Sequence, residues 1–112
     1  MHADISVPTK RCMLQGEWAI GTAVEQLNLL AGELALLLET DPRPSRVAID
    51  LAEVTGMDAC GCQLLALFAE NLKASGITPE LSSVPPEIRE HIKLLGFTDA
   101  LDDRGFAAKE QL

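Results

Sequence analysis

Polar and apolar residues alternate through Ala3, Asp4, Ile5, Ser6 and Val7, and Pro8 follows, the pattern of a short edge strand. Thr9 and Lys10 are expected to turn the chain into Arg11, Cys12, Met13 and Leu14, a second strand that stops near Gly16 and completes an N-terminal hairpin. The period then lengthens. Thr22 and Glu25 have the spacing of a capping box, and Ala23, Leu27, Leu30, Leu34 and Leu37 or Leu38 recur on one face of a helix ending near Glu39. Pro42 and Pro44 break the chain before Arg46 to Leu51, a short apolar strand that helix should cover on at least one side. Residues 52–57 are expected to be a loop, after which Asp58 opens a second helix with Leu64, Leu65, Phe68 and Leu72 on one face. Ser75 and Gly76 end that helix as a glycine cap does. A further strand falls within 77–84, its start made irregular by Pro79. Pro85 and Pro86 then begin a third helix with Ile88, Ile92 and Leu95 inward and Gly96 as its stop. Phe97 and Leu101 are packing residues beyond it, and residues 102–112 form a polar, fraying terminal helix.

The element order β-β-α-β-α-β-α defines an α/β domain, because strands separated by helices pair in parallel through crossovers. The expectation is one domain over residues 1–112, with a small mixed, mostly parallel sheet of about four strands packed with three to four helices.

Charge narrows the function classes. Nine Lys and Arg face 17 Asp and Glu, a net charge of -8 with the acid spread along the chain. Nucleic-acid binding needs clustered cations and is excluded on this count, whereas the acid favours solubility and suits a basic partner. No apolar run approaches the roughly 20 residues that cross a bilayer, and the start Met1, His2, Ala3, Asp4 lacks the features of a secretory signal, so a cytoplasmic protein without membrane insertion is expected. Cys12, Cys60 and Cys62 are odd in number and imply no disulfide framework.

Residues 46–68 carry the most specific local pattern: an apolar strand ending in Asp50 and Leu51, a short segment, then Asp58, Ala59, Cys60 and Gly61 opening an apolar helix. This stretch resembles the central signature of the STAS family, which includes anti-sigma factor antagonists and domains attached to sulphate transporters. Gln15, Gly16, Glu17 and Trp18 resemble the family's Gly-Glu-Leu stretch, and Val84 to Arg89 with Leu95, Gly96 and Phe97 resembles its last helix and closing turn. The resemblance implies the anti-sigma factor antagonist-like fold and a regulatory, protein-binding role in bacterial signal transduction. It also implies a phosphorylated serine directly after the motif aspartate. Ala59 stands there without a hydroxyl, so no phosphorylation is expected at Ala59. Cys60 replaces the Ser or Thr often found next, and Ala19 takes the place of an acidic residue near the first helix. The implied partners are an anti-sigma kinase, a chemotaxis component or the ATPase of a lipid-transport complex.

The chemistry of the motif residues is mild. Asp58 can cap its helix by accepting amide hydrogen bonds from Cys60 or Gly61. Cys60 and Cys62 lie two apart in a helix, pointing roughly 200° from one another, so they do not chelate one ion, and His2 and His91 lie far away. No metal, no cofactor and no catalytic set of nucleophile, base and oxyanion donor is expected. The expected partner-binding patch comprises the 16–22 loop, the 52–59 loop and the start of the second helix. Its residues are Trp18, Thr55, Met57, Asp58, Ala59, Cys60 and Gly61, with Val54 adding apolar area. Two alternatives stay open: a redox switch at Cys60, whose thiol would sit at a helix N-terminus, and phosphorylation elsewhere, such as at Thr55.

Overall fold

In a computed structural model, residues 9–98 and 101 are described. The expected strand at 3–7 and the expected helix at 102–112 lie outside them. Strand β1 spans Thr9–Trp18, helix α1 Ala23–Glu39, strand β2 Arg46–Met57, helix α2 Ala59–Ala74, strand β3 Thr78–Ser82 and helix α3 Pro86–Leu94. The described sheet has three strands in the order β1-β2-β3, and both pairings are parallel.

The alternation in β2 decides where the core lies. Val47, Ile49 and Leu51 share one face and are fully buried, together with Cys12 and Leu14 of the neighbouring β1. Helix α2 lays Cys62, Leu65, Phe68 and Leu72 into the same core, and α1 contributes Leu30 and Leu37, with Leu34 and Leu38 partly covered. Leu27 is nearly half exposed, so the buried stripe of α1 is narrower than its 3.6-residue period suggests. In α3, Ile88 and Ile92 are buried but Leu95 is exposed, because the helix has ended and Leu95 lies at its cap.

Both helix stops follow the glycine rule. Gly76 (φ 83°) and Gly96 (φ 79°) adopt the left-handed conformation. The amides after them, Ile77 and Phe97, donate back to the carbonyls of Leu72 and Ile92 at 2.8 and 2.9 Å.

Four local expectations are corrected. Thr9 and Lys10 do not turn; they pair with Arg46 and Val47 as the first residues of β1. The strand also runs through Gly16 (φ 81°), where the register slips, and continues to Trp18. The expected loop at 52–57 is the second half of β2, paired with Gln15 to Trp18 of β1. The Thr22–Glu25 capping box is replaced by a 3-10 turn, Ile20–Thr22, that precedes α1. There the Thr22 hydroxyl donates to the Glu17 carbonyl at 2.7 Å and accepts from the Ala19 amide at 3.3 Å. Pro79 sits in β3, an outer strand of the described sheet, where a missing N–H is tolerated.

Asp50 is the buried charged residue among those described. Its Oδ2 accepts from Arg11 Nε at 3.1 Å and Nη2 at 2.6 Å, and its Oδ1 accepts from the Ala52 amide at 2.9 Å. The Ala52 amide first, and Arg11 next, hold the carboxyl below its ordinary pKa against the opposing effect of burial. A carboxyl depressed on folding stabilises the native state fully above its unfolded pKa of ~4, and that contribution is lost as pH falls through the folded value. The Asp50→Asn variant is therefore expected to be less stable at pH 7 and to lose less stability on acidification below pH ~4. Urea titrations at several pH values check this; parallel acid limbs would overturn the assignment.

The turn that opens helix α2 as the candidate functional site

Strands β1 and β2 end side by side, with Trp18 opposite Met57. From these ends the chain enters the 3-10 turn on one side and α2 on the other. Asp58 makes three hydrogen bonds here, two of which join the two sides. Asp58 donates its amide to the Trp18 carbonyl at 3.1 Å, Asp58 Oδ1 accepts from the Gly61 amide at 3.0 Å, and Asp58 Oδ2 accepts from the Ile20 amide at 3.1 Å. The aspartate therefore caps α2, as its position implies, and also ties down the turn before α1. The Gly61 amide, followed by that of Ile20, lowers its pKa, and the helix N-terminus favours the same charge. With both carboxylate oxygens engaged, Asp58 is a structural anion rather than a free base. Helix α3 reaches the same place, where His91 Nδ1 donates to the Met57 carbonyl at 3.0 Å.

Gly61 explains itself by distance. A Cβ placed there would lie 2.7 Å from the carbonyl carbon of Trp18, 2.9 Å from its Cβ, and closer still to its oxygen. The first turn of α2 rests directly on the backbone of β1, so this position has no room for a side chain.

The expected patch residues separate into two groups. Thr55 and Ala59 are exposed, and Asp58 and Cys60 are half-buried. Trp18 (0% exposed) and Met57 (3%) lie in the core, as do Val54 and Gly61. The expectation that Trp18 and Met57 present contact surface is thus corrected: the extended pairing of β1 with β2 turns both side chains under the helices. The indole is satisfied internally, donating from Nε1 to the Gln15 carbonyl at 3.1 Å. In their place the surface carries Ile20 (78% exposed) and Val24 (72%), which the sequence pattern did not single out. Their spacing with Leu27, four then three residues apart, was the available signal; it marks a second apolar stripe beside the buried one.

The thiols divide similarly. Burial, reinforced by Glu33, pushes Cys12 up to about 12, and burial, reinforced by Asp58, pushes Cys62 up to about 11. Cys60 is half-buried and the other two are buried. A thiol-reactive dye at pH 8 is expected to label Cys60 in the native protein and Cys12 and Cys62 only after unfolding. Fast labelling of all three without denaturant would overturn this picture. Among the described residues no three His, Cys, Asp or Glu side chains are placed to hold a metal ion, and no helix is long and apolar enough to cross a membrane.

A parallel sheet whose crossover helices cover the core, with the capped start of α2 beside the end of β1, defines an α/β domain. The chain matches the STAS domain model over residues 8–111 and belongs to the STAS domain family. Two of the solved structures that share the fold illustrate the likeness. A sulfate transporter family protein from Wolinella succinogenes is 24% identical, with 86% of this chain and 75% of that chain covered and a TM-score of 0.66. The STAS domain of a SulP transporter from Vibrio cholerae is 14% identical, with 92% and 81% covered and a TM-score of 0.70. At these identities the likeness establishes the fold alone. No curated protein matches the chain.

Proposed function

We propose that this chain is a single, non-catalytic, cytoplasmic STAS domain that binds a regulatory protein through the exposed side of the turn opening α2. One observation carries the reading: Asp58 spends its carboxylate on Gly61 and Ile20, and Ala59 stands exposed beside it with no hydroxyl. The turn is tied down by the hydrogen bonds of Asp58, small in profile and chemically quiet, which suits close approach of a partner and not group transfer. Thr55, Asp58, Ala59 and Cys60 form the accessible part of this face, with Ile20 beside them, while Trp18, Met57 and Gly61 hold its shape from below.

With Ala59 at the position where anti-sigma factor antagonists of the resembling type carry their phosphoacceptor serine, association is constitutive or governed by the partner. The partner is an anti-sigma kinase, a chemotaxis component or the ATPase of a lipid-transport complex. The transporter setting gains support from the two solved structures, both described as belonging to sulfate transporter or SulP proteins.

Affinity purification from the native cell tests the face. Ala59→Glu adds a long acidic side chain at an exposed first-turn position, where acid is tolerated by the helix. It is expected to abolish partner recovery while leaving the thermal midpoint within a few degrees. Equal recovery with the variant would remove the turn from the interface.

A further inference from the structure

A groove runs between α1 and α2, its apolar lining led by Leu27, Leu30, Leu34, Leu64, Leu67 and Phe68. It is open to solvent, holds about 130 Å³ and is almost wholly apolar. That volume is close to the ~150 Å³ cavity that admits a benzene-sized group, so one leucine or phenylalanine side chain fits it. Leu27 (46% exposed) and Leu67 (52%) stand on opposite walls, and Val24 and Ile20 extend the apolar surface toward the start of α1. Lone exposed leucines are ordinary, whereas a lined groove with apolar walls and a contiguous apolar stripe is not.

Charge says what fits there. Neither helix has a lysine or arginine before Lys73, near the end of α2, whereas Glu70 is exposed one turn from the lining residue Leu67. Exposed charges act over about 8–10 Å at ordinary ionic strength, so a ligand laid along the groove meets acid and little base. A second copy of this chain brings the same carboxylate and a net charge of -8, and is repelled. With Asn71 as the polar side chain of the lining, the groove has too few donors and acceptors to orient a polar small molecule.

We propose that the α1–α2 groove is a docking site for one amphipathic helix of a partner protein, with apolar anchors facing Leu27 and Leu67 and lysine or arginine on its flanks. One anchor would enter the groove, and its neighbours at i+3, i+4 and i+7 would rest on the apolar rim formed by Leu27, Leu67 and Val24, as a helix laid on an apolar channel requires. The groove lining shares no residue with the turn at Ala59, although Ile20 and Val24 border both surfaces.

The test uses the full chain, labelled for amide NMR, and two synthetic helical peptides. One carries leucine at i, i+3, i+4 and i+7 with lysine elsewhere; its twin replaces every lysine by glutamate. The lysine peptide is expected to shift resonances of residues 24–34 and 63–71, and the glutamate twin to leave them in place. Leu67→Gln is expected to weaken binding about tenfold or more, the worth of burying one leucine. Glu70→Gln and added salt are expected to weaken it by a smaller factor. Ala59→Glu should leave the peptide shifts intact, so loss of the turn interface and loss of the groove are read separately. The proposal is overturned if neither peptide binds, if both bind alike, or if Leu67→Gln binds as the unaltered chain does. It is also overturned if Leu67→Gln dissolves a dimer seen by sedimentation, or releases the chain from anionic lipid vesicles, since the groove would then serve a second copy or a membrane.

Discussion

Replacing Gly61 by alanine is expected to destabilise the domain by about 3 kcal/mol or more, at or above the upper end of ordinary overpacking. The added Cβ meets backbone of β1, not the end of a flexible side chain, so no rotamer change relieves it. Either α2 lifts from the strand, which breaks the Asp58–Trp18 and Asp58–Ile20 bonds, or β1 yields and disturbs its pairing with β2. Urea unfolding followed by circular dichroism measures the loss, and Trp18, the single tryptophan, should report the disturbed packing through red-shifted emission. A midpoint equal to that of the unaltered chain would mean that the helix does not rest on the strand as described.

Trp18→Ala carries the second large effect, about 3–5 kcal/mol, as for other buried aromatic side chains removed from a core. Trp18 is fully enclosed and sits where β1, β2 and the start of α2 meet. In a domain whose total stability is of order 5–15 kcal/mol, this loss is enough to leave much of the population unfolded at 37 °C. The companion variant Trp18→Phe keeps most of the apolar volume and loses the bond from Nε1 to the Gln15 carbonyl. It is expected to fold with reduced stability and to recover the partner as well as the unaltered chain does. Failure of a folded Trp18→Phe protein to recover the partner would return the indole to the recognition face.

The motif aspartate was legible because its work is local. Asp58 to Gly61 is a three-residue span, and the capping bond follows from residue type and spacing. The same is true of Gly76 and Gly96, whose positive φ is demanded by the helix end itself. What Asp58 does through its other oxygen was not legible, because Ile20 lies 38 residues away and meets it only after β1 and β2 have paired. The extension of both strands was hidden for a related reason. Gly16 reads as a stop and residues 52–57 lack strict alternation, yet each segment supplies the other with ladder partners once they lie side by side.

Trp18 shows how this matters for function. A lone tryptophan after a strand, near a motif, fits a binding anchor, and fits a half-buried core residue somewhat better, from its neighbours in sequence. A register slip of one residue reverses the face on which a strand side chain emerges, and β1 slips register twice before Trp18.

From the order of residues alone came the α/β class, the helix faces built on Leu65, Phe68 and Leu72, the glycine stops, the capped start of α2 and the absence of a hydroxyl at Ala59. These depend on contacts within one or two helical turns, or on the chemistry of a single side chain. Tertiary structure alone decided that Trp18 and Met57 lie beneath the candidate face, that Ile20 and Val24 lie on it, and that α1 and α2 leave an apolar groove between them. Those outcomes depend on strand register and helix packing across dozens of residues, where burial is settled by the whole assembly of elements and no short window contains the information.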